Sequence, residues 1–333
     1  MNDDTTRFFV LNNNIENRRC DTYDFQYLLD EVKKSSVYPD IMTLQQVAGQ
    51  AELDAIKTQL QNTWGVAYEG EVSFTESAKD SVLPSCTKTK SHQANAVLWR
   101  TARFELATPQ DRGASTKRWN ADGAINGGST CQNVPETING VATNSKRSIN
   151  LGVALRDRKV NKVIVAASVH WPKHPDSDEA LNGLLDARRC LKSNMKEADT
   201  NLKNLIGDVN ANASKTPMVI GGDMNAKTSI NSWWEYATKK DGGLGYTDPI
   251  AVNCEAEKMP DYPACSGSSA AGSDDNRALL NSEHRTTQVN RIDYIFIKNA
   301  STTDKGSTIK QPTDKSRLLY SNHRAMRGTV KYL

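Results

Sequence analysis

Short apolar runs rich in β-branched and aromatic residues recur from one end of the chain to the other. They lie at 8–11, 41–44, 96–99, 163–169, 218–220 and 294–297. Several are apolar almost throughout, which is typical of strands covered on both faces rather than strands of an exposed sheet. Strands of this kind have to be packed between other layers, so the sequence predicts a layered sandwich of sheets and helices.

The segments between these runs indicate one domain. Apolar residues at helical spacing predict amphipathic helices over 23–34 and 181–211. At 107–147 and 252–290 Gly, Ser, Asn and Asp dominate and the periodicity disappears, so we interpret both segments as long surface loops. The polar residues at strand ends lie on both sides of each loop and must converge to act together. We therefore predict a single domain over residues 1–333.

The cysteines favour an oxidising compartment. They stand alone at Cys20, Cys86, Cys131, Cys190, Cys254 and Cys265. None has the spacing of a zinc site, and an even number of scattered cysteines favours three disulfides in a secreted protein. We expect a bridge from Cys254 to Cys265; six reduced thiols in a cytosolic protein are the alternative. If the protein is secreted, its leader has been removed, because residues 1–7 lack an apolar core.

Charge and hydropathy limit the possible partners. A net charge of +3 permits a phosphate-bearing partner without requiring a dedicated nucleic-acid surface. No apolar stretch approaches the roughly 20 residues needed to span a bilayer. We expect a monomer that acts on a phosphate compound and does not cross a membrane.

The most informative segment is 219–226, an apolar strand that ends in two glycines and is followed by Asp223 and Asn225. We interpret the glycines as allowing a ligand to approach the backbone, Asp223 as holding or activating a water, and Asn225 as a donor to a phosphoryl oxygen. A Gly-Gly-Asp turn is also a common structural device. Three further polar residues at strand ends, His170, Asp293 and His323, favour the functional interpretation.

A family resemblance combines these segments. Its elements are Asn14 after the first strand, Leu-Gln-Gln-Val at 44–47, His170, Gly-Asp-Met-Asn at 222–225, Arg-Ile-Asp-Tyr at 291–294 and Ser-Asn-His-Arg at 321–324. In order and spacing the set resembles the deoxyribonuclease I-like endonuclease/exonuclease/phosphatase family, over almost the whole chain. The resemblance implies an α/β four-layer sandwich, in which two packed mixed β-sheets are flanked by helices, and a Mg²⁺- or Mn²⁺-dependent hydrolase of phosphodiesters or phosphomonoesters.

The resemblance also implies roles for individual residues. Asp223 would orient or deprotonate the attacking water, and Asn14 and Asn225 would donate to phosphate or fix their neighbours. His323, steered by Asp293, would be a general base or a phosphate-binding electrophile. His170 would act on the other side of the phosphate as an acid or donor.

The metal positions depart from the family pattern. Where the family carries carboxylates, this chain has the amides Gln46 and Asn322, and Gln93 is a third departure on a less secure alignment. With Asn14, Gln46 and Asn322 form the expected metal site, and we expect the lost charge to weaken cation binding and to disfavour protonated His170 and His323. The chain is a natural member that has lost hydrolysis, a deliberately silenced form, or an enzyme in which Asp223, Asp293, Glu16 or Asp248 holds the metal.

The sequence leaves three functions open. The first is a secreted phosphodiesterase of the nuclease type, with Arg118 and Arg147 contacting the phosphate backbone of its substrate and Arg112, Lys117, Lys146 and Trp119 nearby. The second is a non-catalytic binding module for a phosphorylated ligand or a protein. The third is a phospholipid phosphodiesterase or phosphatase, because one fold supports several substrates.

Overall fold

The structure is a computed structural model that describes most of the chain. The described residues are 4–16, 23–73, 94–113, 118–122, 136–138, 141–143, 149–171, 185–207, 215–226, 233–256, 286–287, 291–302 and 306–333. Arg147, Gln93, Lys117 and Lys146 lie outside them, as do Cys20, Cys86, Cys131 and Cys265. The predicted disulfides and the Arg147 contact therefore stay predictions.

Two mixed sheets form the centre of the molecule. The first has the order β13-β14-β1-β2-β4-β3, with β1 and β2 parallel. Its strands are β1 (Arg7–Asn14), β2 (Ile41–Val47), β3 (Tyr68–Val72), β4 (Ala94–Arg100), β13 (Ser307–Thr308) and β14 (Met326–Lys331). We call it sheet A.

The second sheet, sheet B, has the order β12-β11-β10-β9-β5, and β6 also pairs with β9. Its strands are β5 (Phe104–Leu106), β6 (Arg118–Asp122), β9 (Ile149–Asp157), β10 (Lys162–His170), β11 (Met218–Asp223) and β12 (Asp293–Lys298). Only β10 and β11 are parallel among its paired strands. A separate small hairpin joins β7 (Glu136–Ile138) to β8 (Val141–Thr143).

Helices flank the two sheets, and four of them pack against the outer faces. They are α1 (Phe25–Lys34), α2 (Gln50–Trp64), α3 (Pro109–Arg112), α4 (Leu185–Ile206), α5 (Trp233–Thr238) and α6 (Pro249–Ala256). Buried side chains of α1 and α2 share one core with sheet A, those of α4 and α5 share another with sheet B, and a third core fills the space between the sheets. This is the predicted four-layer sandwich.

The three cores explain why the strands are apolar throughout. Along β2, Ile41 faces the core between the sheets, whereas Met42 and Leu44 face the helices. Successive side chains of a strand point to opposite faces, so both sets of positions must be apolar when both faces are covered. All six predicted strands are confirmed, as is the helix predicted from residue 23.

Both predicted loops contain parts of regular elements. The segment 107–147 contains α3, β6, β7 and β8, and 252–290 begins with the end of α6. Strand β6 has no apolar run of its own and takes its hydrogen bonds from β9, a partner that local pattern cannot reveal. Within the described part of the chain, none of the helices combines the length and the hydropathy that crossing a bilayer requires.

The two glycines before Asp223 serve packing rather than ligand access, which corrects our interpretation of them. A Cβ atom at Gly221 would lie 2.1 Å from Oγ1 of Thr43, and one at Gly222 would lie 2.2 Å from the carbonyl oxygen of Val169. Thr43 belongs to sheet A and Val169 to sheet B. The glycines thus let β11 lie close to β2 of sheet A and to β10 of sheet B. Asp223, the next residue, ends this closely packed strand.

We expect Gly221→Ala to destabilise the fold by about 1–3 kcal/mol, because the added methyl group has to displace Thr43. Urea unfolding followed by circular dichroism measures the change. The Thr43→Ala/Gly221→Ala variant should be more stable than the sum of the two single losses predicts. Strict additivity would show that the two side chains do not compete for the same space.

Candidate active site

Six strand ends meet at one end of the sandwich. The carboxyl ends of the parallel pair β1 and β2 lie in sheet A, and those of β10 and β11 lie in sheet B. Strands β12 and β14 run antiparallel to β11 and β1, so the polar residues at or just before their starts lie at the same end. The fold thereby brings together the catalytic residues suggested by the sequence: His170, Asp223, Asn225, Asp293 and His323.

Asp223 is the centre of this site. Its side chain is 2% exposed, and its Oδ2 accepts a hydrogen bond from Nδ2 of Asn14 at 3.0 Å, across the gap between the sheets. The same oxygen lies 3.4 Å from Nε2 of His170 and 3.8 Å from Nε2 of His323. Its Oδ1 accepts the backbone N–H of Asn225. Two histidines thus flank one buried carboxylate.

The two asparagines hold their neighbours in place. Asn14 donates to Asp223, and Asn225 donates through Nδ2 to the carbonyl of Trp171 at 2.7 Å. Asn225 has a φ of 49°, a left-handed conformation that asparagine tolerates better than most residues. Of the two roles inferred for these asparagines, fixing neighbours is the one that the hydrogen bonds support.

Asp293 orients His323. Its Oδ2 lies 2.9 Å from Nδ1 of the imidazole, so Nδ1 carries the proton and Nε2 faces Asp223. The carbonyl of His323 accepts hydrogen bonds from the side-chain amides of Asn13 and Gln311, each at 3.3 Å. The backbone of the histidine is therefore held as firmly as its ring.

The neighbouring carboxylates favour the protonated form of His323. Burial by itself lowers the pKa of His323, but the carboxylates of Asp293 and Asp223 outweigh it and raise the pKa to about 10. Glu16 contributes in the same direction. Of the two roles that the resemblance implies for His323, general base and phosphate-binding electrophile, these charges favour the second.

Burial and the neighbouring charges also shift the pKa of Asp223. Burial raises the pKa of Asp223, the Asp293 carboxylate raises it further, and the two histidines oppose the shift. A carboxylate with a raised pKa is a better proton acceptor than an exposed aspartate. The site thus combines a proton acceptor with a nearby cation.

The amide positions lie at the same end of the molecule. Gln46 is half-buried in β2 where the register with β4 shifts, and its φ of 57° is rare for a residue with a side chain. Nδ2 of Asn322 donates to the hydroxyl of Tyr23 and to Oε1 of Glu16 at 3.5 Å. The backbone N–H of Asn322 donates to Oε2 of Glu16 at 2.8 Å.

These residues offer oxygen donors for a divalent cation, with amides at two positions where the resembled family carries carboxylates. Asn14, Gln46 and Asn322 offer amide oxygens, which are hard donors without charge. Because Asn322 uses its Nδ2 as a donor to its neighbours, its Oδ1 is the atom left for a ligand. Carboxylates lie close by, and ligand atoms of Asp223, Asp293 and His323 lie within 4.8 Å of one another.

Three other candidate residues have structural partners. The guanidinium of Arg118 ion-pairs with Glu71 at 2.8 Å, linking β6 of sheet B to the edge of sheet A, and Arg112 is buried. Asp248 accepts two hydrogen bonds from Arg291, at 2.6 and 2.8 Å. Our phosphate-contact role for the two arginines and our metal role for Asp248 are thus not supported, because these groups are already engaged within the fold.

Comparison with known proteins identifies the architecture. Neither a known family model nor a curated protein matches the sequence. Solved structures do match. The catalytic domain of human Nocturnin, with bound sulfate, aligns with a TM-score of 0.57 at 16% identity, over 98% of this chain and 95% of that chain.

Two bacterial structures extend the comparison. An endonuclease/exonuclease/phosphatase from Bacteroides vulgatus has a TM-score of 0.54 at 12% identity, over 99% of this chain and 100% of that one. A mannosyl-6-phosphatase from Bacteroides thetaiotaomicron has a TM-score of 0.54 at 10% identity, over 97% and 99%. The chain has the endonuclease/exonuclease/phosphatase fold. In this fold the site described above lies at one end of the two packed sheets.

Sequence analysis missed the residues that support this site. A buried polar network joins the sheets: Oδ1 of Asn12 accepts from Thr43 and from Gln45, and Gln45 also donates to Ser168. The run Asn12 to Asn14 inside an apolar strand was the available signal, because consecutive asparagines are unfavourable in strands without such partners.

Proposed function

We propose that this protein hydrolyses phosphoesters and that it is a phosphodiesterase of the nuclease type. The observation that carries the proposal is the group formed by Asp223, His170, His323 and Asp293, in which one buried carboxylate faces two imidazoles. Similar structures include a phosphatase and a protein with bound sulfate, a tetrahedral anion.

The residues suggest how the reaction proceeds. Water attacks phosphorus, forming one P–O bond while the bond to the leaving group breaks. Asp223 accepts a proton from the water, a role that suits its raised pKa. Protonated His323 stabilises the negative charge on a phosphoryl oxygen, and His170, which lies on the same side as Asp223, donates to another phosphoryl oxygen. The leaving oxygen takes its proton from solvent.

The proposal includes a divalent cation, Mg²⁺ or Mn²⁺. Asn14, Gln46 and Asn322 would hold it through their side-chain oxygens. When bound, the cation polarises a phosphoryl oxygen and stabilises charge on the leaving group. Because the three side chains are uncharged, we expect binding to be weak.

The amides at positions 46 and 322 favour a second candidate function, that of a binding module that no longer hydrolyses phosphoesters. Gln46 and Asn322 preserve the shape of the site while removing charge. Such a protein would bind a phosphorylated ligand or a protein partner through the same group of residues. Absence of turnover with every phosphoester class would favour this candidate.

The test of the proposed function is hydrolysis of DNA, RNA, a phosphomonoester and a phospholipid headgroup, by this protein and by His323→Asn. Asparagine preserves a donor towards Asp293 and removes Nε2, so we expect kcat to fall about 10²–10⁴-fold with the active substrate. Lys34→Asn serves as the control, because Lys34 is an exposed cation at the end of α1. Equal activity of the wild type and His323→Asn would refute the role of this histidine.

We also propose that the protein is secreted and contains three disulfides, on the basis of its six scattered cysteines. Alkylation under denaturing conditions, without reduction, should leave all six cysteines unmodified when the mass is measured. After reduction, all six should react. Alkylation of every cysteine before reduction would contradict the proposal.

A further inference from the structure

Glu16 lies near both positions where amides stand in place of acids: its carboxylate contacts Asn322, and its backbone runs beside β2 next to Gln46. It is the second residue after the end of β1, and the N–H of the intervening Ile15 donates to the carbonyl of Gln45 at 3.1 Å. The next residue of β2 is Gln46. On its other side, Glu16 accepts the backbone N–H of Asn322 at 2.8 Å.

Glu16 is also connected to the catalytic group. Its backbone N–H donates to Oδ1 of Asn14 at 3.1 Å, and Nδ2 of Asn14 donates to Asp223. Its φ of 46° turns the chain back towards the site. Glu16 thus contacts Asn322 through its carboxylate and the residues proposed for catalysis through its backbone N–H.

The carboxylate of Glu16 has no cationic side chain within 4 Å among the described residues, although its charge acts on His323 at longer range. Its side chain, which is half-buried, accepts hydrogen bonds from neutral groups of Ser321 and Asn322. Asp223 and Asp293, in contrast, both lie within 4 Å of histidine nitrogens. Carboxylates withdrawn from water are usually paired with a cationic side chain or bound to a metal.

We propose that Glu16 is the charged ligand of the divalent cation, replacing the carboxylates missing at positions 46 and 322. It would bind Mg²⁺ or Mn²⁺ together with the amide oxygens of Gln46 and Asn322. The choice of Mg²⁺ or Mn²⁺ as the cation rests on the proposed function. It selects, from the explanations left open by the sequence, a rearranged site that retains its cation.

The test is isothermal titration of the full chain with Mn²⁺, which measures binding without requiring hydrolysis. We expect Glu16→Gln to weaken Mn²⁺ binding by about tenfold or more, because amide and carboxylate have the same shape and differ in charge. Glu16→Gln/Gln46→Glu should recover most of the affinity. The matched control is Glu235→Gln, which neutralises an exposed carboxylate on α5 and should leave the affinity unchanged.

The outcomes separate this inference from the proposed function. Unchanged Mn²⁺ affinity in folded Glu16→Gln, checked by its melting curve, would overturn the inference even if phosphoesters are hydrolysed. No Mn²⁺ binding by the wild type, with binding by Gln46→Glu, would also overturn it. Mn²⁺ binding that depends on Glu16, without hydrolysis of any phosphoester, would support the inference and contradict only the proposed function.

Discussion

The Gln46→Glu/Asn322→Asp variant should nick plasmid DNA in Mg²⁺ at least about a hundredfold faster than the wild type. The two restored carboxylates attract a divalent cation in a site that is partly withdrawn from water. A hundredfold increase in rate corresponds to about 2.7 kcal/mol of additional transition-state stabilisation. Plasmid nicking followed over time, with Mg²⁺ or with EDTA, measures the effect.

The structure predicts a second property of this variant. A carboxylate at position 322 would lie beside Glu16, where Nδ2 of Asn322 is now 3.5 Å from Oε1. Like charges at this distance repel unless a cation lies between them. We therefore expect a lower melting temperature than that of the wild type in EDTA and a larger increase on addition of Mg²⁺.

A matched control places the same charges elsewhere. Gln61 and Asn62 are exposed amides near the end of α2, and Gln61→Glu/Asn62→Asp should leave nicking unchanged. Equal cleavage by the wild type and the restored variant would show that other residues hold the cation. If neither the wild type nor the restored variant cleaves DNA, the result would favour a different phosphoester substrate or the binding-module function.

The Asp248→Ala variant should lose about 3–5 kcal/mol of the free energy of unfolding, the largest effect on stability that we expect. The change leaves the guanidinium of Arg291, 1% exposed, without its carboxylate, and the indole N–H of Trp234 loses its acceptor. Denaturant unfolding measures the loss. At a temperature where the variant is folded, its affinity for Mn²⁺ should equal that of the wild type, since Asp248 pairs with Arg291 and is not a proposed metal ligand.

Asp241→Ala is the control for this variant, because Asp241 is exposed in the loop after α5. We expect its stability to stay within about 0.5 kcal/mol of the wild type. A small loss in Asp248→Ala would mean that water replaces the missing carboxylate. Weaker Mn²⁺ binding by folded Asp248→Ala would restore this residue as a candidate ligand.

Local pattern was sufficient for six of the strands and for the helix that begins near residue 23, but not for every regular element. Strands covered on both faces have continuous apolar runs, and a helix that packs on a sheet repeats its apolar residues every three or four positions. Helix α2, with buried Leu53, Ile56, Leu60 and Trp64, has the same spacing and could have been predicted. Strand β6 could not, because its pairing with β9 is a tertiary contact.

The sequence by itself determined the layered architecture and which polar residues stand at strand ends. Only the tertiary structure decided what those residues contact. Glu16 and Asn322 are 306 positions apart, and no local pattern relates them. The charge of His323 and the pairing of Asp248 with Arg291 likewise follow from burial and from neighbours brought close by folding. Electrostatic energy depends on distance and on exclusion of water, and both are set only when the two sheets pack together.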